Sequence, residues 1–364
     1  MSRRSVLFVA PHPIEGPSTR FRIHQFLPAL DAAGIAHSVR PFLSSRLAPV
    51  VYRREAIAAK LAVTGWGATQ RIVDVVRAFR YDLVYVLREV FPIGPPVFER
   101  LFEAASGRIA FDFDDAIYHR HENDDNPLDR FRDWDRPAKV IARARRTVAG
   151  SEILADFARA HAPRPDRVVV IPTVVDTATF RPRPRRPDGT IVIGWIGTPR
   201  NTTYIRAIWP ALASVARRDR RVRYVFVGAE PFDVGGVPVE FRRWTLAGEV
   251  GDVQGFDLGI MPLPDDVQTR GKCGFKLIEY MACGLPAVAS PVGANSHVLE
   301  NEVTGLLATS GADWTEALLR LASDSGLRRR MGEAGRARAE RSFSLAAMAP
   351  RFVATIEQAV AEVP

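Results

Sequence analysis

The sequence predicts an α/β protein built from two doubly wound units. Three observations carry this. Residues 6–41 run apolar stretch, glycine-bearing loop, helical stretch, extended stretch, which is how a parallel sheet wound with helices begins. A second such run starts at residues 190–196 with the loop 197–201, directly after a proline- and arginine-rich stretch at 181–189. The length of 364 residues is enough for two domains of ordinary size.

Taken in order, VLFVA at residues 6–10 is a first buried strand. The start MSRRSVLFVAPHP imitates a signal peptide, but the apolar run before Pro11 is shorter than the ~7–15 residues of such a segment. The loop PHPIEGPSTRFR follows, with Gly16 and Pro17. A helix is expected over 21–33, with Phe26, Leu27 and Leu30 on one side and Gly34 as stop, then a strand over 36–41. Ligands of such sheets bind at the carboxyl ends of strands, so Gly16, Ser18, Thr19 and Arg20 border the expected crevice. An ordinary connecting loop is the alternative. Residues 55–80 read as helix interrupted near Gly65 and Gly67. Residues 83–87 are a strand with Arg88 and Glu89 at its end, and 97–105 a helix behind Pro92, Pro95 and Pro96.

The strand 109–113 ends in DFDDAIYHRHENDD, which crowds Asp112, Asp114, Asp115, His119, His121, Glu122, Asp124 and Asp125. A metal site, an acidic group that is catalytic or binds the acceptor, and a solvated loop all fit this composition. Tight ligand spacing is missing, which argues against a metal. Asp114 and Asp115 suit the acidic role; Asp124 and Asp125 suit the solvated loop. Residues 139–146 are a basic helical run, 147–149 a strand, and Ser151 caps a helix over 152–161. Residues 181–189 read as an exposed linker rather than a loop inside one domain. The second half has a helix over 204–216, strands at 223–227, 237–241 and 256–261, and helices at 313–322, 324–341 and 345–360.

Composition narrows the class. Hydrophobic content of 47% and charged content of 25% describe an ordinary globular protein. No run approaches ~18 apolar residues, so no membrane-spanning helix is expected. Cys273 and Cys283 are too few for a disulfide framework and fit a reducing, cytoplasmic setting. A net charge of +9 favours anionic partners, among them a nucleotide, a phosphorylated lipid or an anionic membrane face.

The chain is organised around GKCGFKLIEYMACGLPAVASPVG, residues 271–293. A glycine loop runs into a short helix with Leu277, Ile278 and Met281 at helical spacing. Gly284 and Pro286 stop it, and AVAS follows as a buried strand. A helix opening on glycines offers its positive end to a phosphate. Only Lys60, Lys139, Lys272 and Lys276 are lysines, so half of them fall here. Glu279 lies three residues beyond Lys276, on the same side. A solvated helix start with a surface Lys276–Glu279 pair is the alternative.

Three segments, VVVIPTVVDTATFRP, IVIGWIG and GKCGFKLIEYMACGLPAVASPVGANSHVLENEVTGLLA, together resemble the retaining nucleotide-sugar glycosyltransferases of family 4. The likeness is greatest to a branch whose helix opens GKxGxKLxxYMAxGLP. The resemblance implies the GT-B fold, two Rossmann-like domains facing a cleft. These would be residues 1–180 and 190–344, with 181–189 as linker and the last helix, 345–364, returning to the first domain. It implies that Glu279 bonds the donor's ribose hydroxyls. The family's other glutamate, eight residues earlier, is Gly271 here, so sugar recognition differs. Thr198 stands where the family often has an arginine, and Arg200, Lys272 or Lys276 would supply the charge. Asp114 or Asp115 occupies the region of a family histidine.

The expected catalytic residues are therefore Lys276, Lys272 and Asp114. The expected donor-binding residues are Glu279, Thr198, Arg200, Gly274, Phe275, Gly16 and Arg20. The expected reaction moves a sugar from a nucleotide-sugar donor to a saccharide or lipid-linked acceptor, with retention and with neither metal nor cofactor. Surface polysaccharide or glycolipid assembly in the cytoplasm, with peripheral contact at an anionic inner membrane face, is the expected setting. A GT-B epimerase or phosphorylase and a non-enzymatic nucleotide-sugar-binding subunit are the rivals. Nucleic-acid binding is least favoured, because no recognised motif supports it.

Overall fold

The computed structural model describes residues 4–47, 57–120, 130–184 and 189–361. These residues fall into two compact units, Met1–Thr173 with Met348–Pro364, and Val174–Ala347.

The first unit holds a six-stranded, all-parallel sheet. Its strands are β1 (Ser5–Ala10), β2 (Ala36–Pro41), β3 (Leu83–Leu87), β4 (Ile109–Phe113), β5 (Arg146–Ala149) and β6 (Val168–Val170), in the order β2-β1-β3-β4-β5-β6. β1 and β3 read as near-continuous apolar runs because helices cover both faces of a parallel sheet, and β4 does so but for Asp112. Register is set by pairs such as Phe8 with Tyr85 and Val86 with Phe111. Phe352 of the helix Leu345–Ala361 stacks on Phe26 at 4.4 Å and approaches Tyr85 at 5.6 Å, so this helix closes the first unit's core.

The second unit repeats the plan with β7 (Ile191–Ile196), β8 (Val222–Val227), β9 (Val239–Arg242), β10 (Leu258–Met261), β11 (Ala287–Ala289) and β12 (Gly305–Leu307), in the order β12-β11-β10-β7-β8-β9. Gly194 and Gly259 thin the sheet where rings cross it. A Cβ would sit 2.1 Å from the Phe256 ring at the first and 2.2 Å from the Tyr280 ring at the second. Trp195, Trp314, Tyr224 and Phe226 fill the core around them.

Several elements differ from expectation. The first helix starts at Pro17, not at residue 21, because proline is well placed at a helix start. It breaks at Ile23, and a second helix follows over Leu27–Ala32. The helix Ile57–Ala78 runs unbroken through Gly65 and Gly67. Gly67 is there because a Cβ would lie 2.2 Å from the Phe42 ring. The basic run 139–146 is helical only to Ile141, and Arg146 already belongs to β5. The expected helix 204–216 is two helices, Thr202–Ala207 and Trp209–Arg218, the second restarted by Pro210. The division between units falls after Thr173 because the segment beyond it is tied to the second unit. Val175 pairs with Ser344, and the Arg336 guanidinium donates to the Thr177 and Phe180 carbonyls at 2.8 and 2.6 Å. Gln254 donates to the Arg181 carbonyl at 2.8 Å, so the start of the expected linker is held as well.

Candidate functional site

Each sheet reverses its winding once, and at that point two neighbouring loops diverge and leave a crevice at the strands' carboxyl ends. In the first unit the reversal lies between β1 and β3; in the second it lies between β7 and β10. The expected site residues gather at these two places.

After β1, Thr19 Oγ1 donates to the His12 carbonyl at 2.8 Å and folds the loop over. Gly16 is dictated by contact: a Cβ there would sit 2.6 Å from the His12 Cβ. Ser18, in the first turn of the helix Pro17–Arg22, donates to Asp114 Oδ2 at 2.8 Å. Arg88, at the end of β3, donates through Nε to Asp114 Oδ1 at 2.5 Å and lies 3.8 Å from Asp115. Arg88 has a φ of +60°, a left-handed conformation that costs an arginine on the order of 1 kcal/mol and that surrounding contacts must hold. Beneath this layer Arg22 pairs with Asp112 at 2.7 Å, and Tyr85 donates to Asp112 at 2.6 Å. Arg22 also reaches the Ile171 carbonyl at 2.7 Å, so the buried pair is well bonded and anchors the β4 end.

The electrostatics of the cluster follow. Burial raises the Asp112 carboxyl above its ordinary value, with Arg22 offsetting only part of it. Burial also opposes charge on Asp114, but Arg88 and then Arg22 outweigh it and hold its pKa below the ordinary value. Asp114 is thus a standing carboxylate, suited to holding a hydroxyl or facing developing positive charge, and not to donating a proton. Burial, then Arg88, lowers His12 to about 4 against a partial opposing effect of Asp114. His12 is therefore neutral at pH 7. Its Nδ1 is buried and meets no hydrogen-bond partner among the described residues. Arg20 turns back on its own loop, with Nη1 3.5 Å from the Ile14 and Glu15 carbonyls and its guanidinium 4.4 Å over Phe21. His119 is exposed, and His121, Glu122, Asp124 and Asp125 lie outside the described residues.

In the second unit the loop after β10 is tightly braced. Asp266 and Thr269 form a capping box for the helix Val267–Arg270. Thr269 Oγ1 donates to the Pro264 carbonyl at 2.5 Å, and Gly293 packs so closely that a Cβ would lie 2.4 Å from the Arg270 carbonyl oxygen. Lys272 follows, half-buried, its backbone N–H bonded to the Thr269 carbonyl at 3.1 Å. Gly274 takes φ +67° as N-cap of the helix Phe275–Ala282, a conformation that favours glycine. No acidic residue sits in the helix's first turn, so its positive end is undiluted at Gly274, Phe275 and Lys276.

Lys276 Nζ lies over the buried Trp195 ring, 5.5 Å from its centroid. Gly197 completes that corner: a Cβ would be 2.4 Å from the Trp195 ring and 3.1 Å from Lys276 Cε. Glu279 is only 3% exposed, which rules out a surface pair with Lys276. Thr198 and Arg200 are exposed in the loop after β7, flanking this corner in sequence. Gly228 has φ +77°, and a Cβ there would lie 2.1 Å from the Gly197 carbonyl oxygen and 3.4 Å from the Cβ of Trp244, whose indole donates to Glu249 at 3.2 Å. Gly271, where the resemblance leads one to look for a glutamate, is a buried helix C-cap.

The structure thus places Lys272, Gly274, Phe275, Lys276, Glu279, Thr198 and Arg200 in the second unit and Gly16, Arg20 and Asp114 in the first. Sequence reasoning did not single out His12 or Trp195. The signal for His12 was the small residue at Gly16, four positions on, which only its close packing explains. The signal for Trp195 was a bulky aromatic inside an otherwise aliphatic strand.

Solved structures share this architecture. HepE of Anabaena, in complex with UDP and glucose, superposes with a TM-score of 0.69 at 14% identity, over 97% of this chain and 99% of that one. Sucrose-phosphate synthase of Thermosynechococcus elongatus gives 0.70 at 16% identity, over 98% and 99%. The fold is GT-B: α/β, with two doubly wound Rossmann-like units. Residues 190–324 match the family model of glycosyl transferases group 1. The D-inositol 3-phosphate glycosyltransferase of Saccharomonospora viridis is 29% identical over 230 residues, 56% of this chain and 53% of that protein. The MMP alpha-(1->4)-mannosyltransferase of Mycolicibacterium hassiacum is 29% identical over 229 residues, 60% of this chain and 54% of that protein. The chain spans about half the length of the curated relatives it matches.

Proposed function

We propose that this protein is a glycosyltransferase that moves a sugar from a nucleotide-sugar donor to a saccharide or lipid-linked acceptor, with retention of configuration. The observation that carries the reading is the lysine-flanked helix end at Gly274–Lys276, braced on Trp195 and followed by the buried Glu279, inside the segment that matches the family. Breaking a sugar–phosphate bond leaves a nucleoside diphosphate whose negative charge grows through the transition state. Lys272, Lys276 and the helix end supply fixed positive charge for it, without reorganisation at the moment of reaction. In this reading Glu279 holds the ribose, Trp244 offers a flat face to the base, and Thr198 and Arg200 border the phosphates. Gly16 and Arg20 shape the loop that carries His12. Asp114 and the neutral His12 receive the acceptor's hydroxyl. No metal or cofactor takes part, and activity persists with a chelator present. Assembly of surface polysaccharide or glycolipid in the cytoplasm is the proposed setting.

The test is thermal unfolding with a panel of nucleotides and nucleotide sugars. One nucleoside diphosphate and its sugar should raise the midpoint, by roughly 2.7 kcal/mol of added stability at a hundredfold excess over Kd. Lys276→Ala and Glu279→Gln should abolish most of that gain. No stabilisation by any nucleotide would overturn the proposal. The glycine at position 271 favours one second reading, a subunit that binds the donor without turnover. It predicts the same stabilisation with no sugar transfer to any acceptor.

A further inference from the structure

The helix Ile57–Ala78 buries an ion pair beside Val63 and Ala78 and leaves large apolar side chains in water. Its buried side carries Arg71 and Asp74, 0% and 1% exposed, joined at 3.0 Å and bonded onward to Arg40 at 2.7 Å. Arg71 also donates to the Ala10 and Val90 carbonyls at 3.0 Å each. Its outward side carries several large apolar side chains. Leu61 is 60% exposed, Trp66 57%, Ile72 58% and Val76 65%, and Phe79 just beyond the helix 70%. Leu61, Ile72 and Val76 share one outward side of the helix, with Gly65 and Thr69 between them and Trp66 and Val73 at its edge, so the exposed apolar side chains lie on one face. The neighbouring helix Val97–Ser106 adds exposed Val97 and Leu101. A stripe of this length in water marks a contact surface.

Charge identifies what it meets. Arg77, Arg80 and Arg100 are exposed around the stripe. The acidic residues of the two helices balance them only in part: Asp74 reaches Arg77 at 3.9 Å. Asp74 and Glu99 are buried, and Glu103 pairs with Arg143 at 2.5 Å. A second copy of this chain would bring the same arginines against each other. An apolar face edged by an exposed tryptophan and by arginines fits the boundary of an anionic bilayer, where apolar groups enter between headgroups and arginines meet phosphates. Among the described residues no helix is long and apolar enough to cross a membrane. We propose that the outward face of the helices Ile57–Ala78 and Val97–Ser106 docks this protein onto an anionic lipid surface.

Sedimentation of the full chain with vesicles tests this. Phosphatidylcholine vesicles containing phosphatidylglycerol should carry the protein down, phosphatidylcholine alone far less, and added salt should release it. Ile72→Ser with Val76→Ser should lower partitioning about tenfold or more. Arg77→Gln and Arg80→Gln should lower it about fivefold each. These side chains are exposed, so the unfolding midpoint should hold, and the arginine variants remain informative if the serine pair folds poorly. Val267→Ser with Val303→Ser, exposed in the second unit, should change nothing. The proposal fails if anionic vesicles do not bind the protein, or if both sets of variants bind as the parent does. It also fails if the serine pair only converts a dimer to a monomer in light scattering, which would make the stripe an interface between copies.

Discussion

Gly197 decides where Lys276 can be. A methyl group there would collide with the Trp195 ring at 2.4 Å, and Trp195 is 1% exposed with nowhere to go. The softer neighbour is Lys276 Cε at 3.1 Å. Gly197→Ala should therefore displace the ammonium and cost about 1–3 kcal/mol of stability as overpacking. Calorimetric titration with the stabilising nucleoside diphosphate should show at least a tenfold weaker Kd. Lys276→Met should weaken it similarly while leaving the unfolding midpoint nearly unchanged, which separates lost charge from lost packing. His12 gives a pH signature. Its folded pKa is about 4 and its ordinary value 6.5. Between those values the unfolded chain binds the extra proton, so stability rises with pH there. The contribution is complete above pH 6.5 and is lost as pH falls towards 4. Its ceiling is about 3 kcal/mol, from 2.5 pH units at 1.36 kcal/mol each. Urea unfolding at pH 7 and pH 4.5 should show a smaller loss for His12→Asn than for the parent. Parallel losses would mean that His12 is not the titrating group.

Among the elements, the buried strands were the most legible in the sequence. VLFVA and LVYVL read directly because a parallel strand is covered on both faces and needs no alternation. The helix Phe275–Ala282 was equally plain, since glycines mark both its ends. Ser151 caps its helix by accepting from the Leu154 N–H at 3.3 Å, a local bond that spacing alone reveals. What stayed hidden depends on residues far apart in sequence. Gly67 looked like a helix break and is a seat for Phe42, which lies on the segment after β2. Asp112 looked like one of several loop acids and is the buried partner of Arg22, 90 positions away. The site divided along the same line. Lys276 and Glu279 were visible because helical spacing orders them. Trp195 under Lys276, and Arg88 gripping Asp114, arise only when separate strands of a sheet align.

At the scale of the whole molecule, the C-terminal helix makes the first unit discontinuous in sequence. Met348–Pro364 joins Met1–Thr173, while everything between forms the second unit. Phe352 carries this closure. It is 1% exposed and meets Phe26 at 4.4 Å, Tyr85 at 5.6 Å and Phe8 at 6.4 Å. Phe8 and Tyr85 lie on β1 and β3, the strands flanking the first sheet's winding reversal. Loss of this ring opens a cavity among large aromatics that cannot easily collapse. Phe352→Ala should cost about 3–5 kcal/mol, on the scale of phenylalanine truncation in a packed core. The loss should be confined to one unit, because each has its own sheet and its own core. Native-state hydrogen exchange reads this directly. Amides of β1, β3 and β4 should exchange faster in Phe352→Ala, while those of β7, β8 and β10 keep their protection. Equal loss of protection in both sheets would show that the two units unfold as one and that the C-terminal helix guards the entire chain.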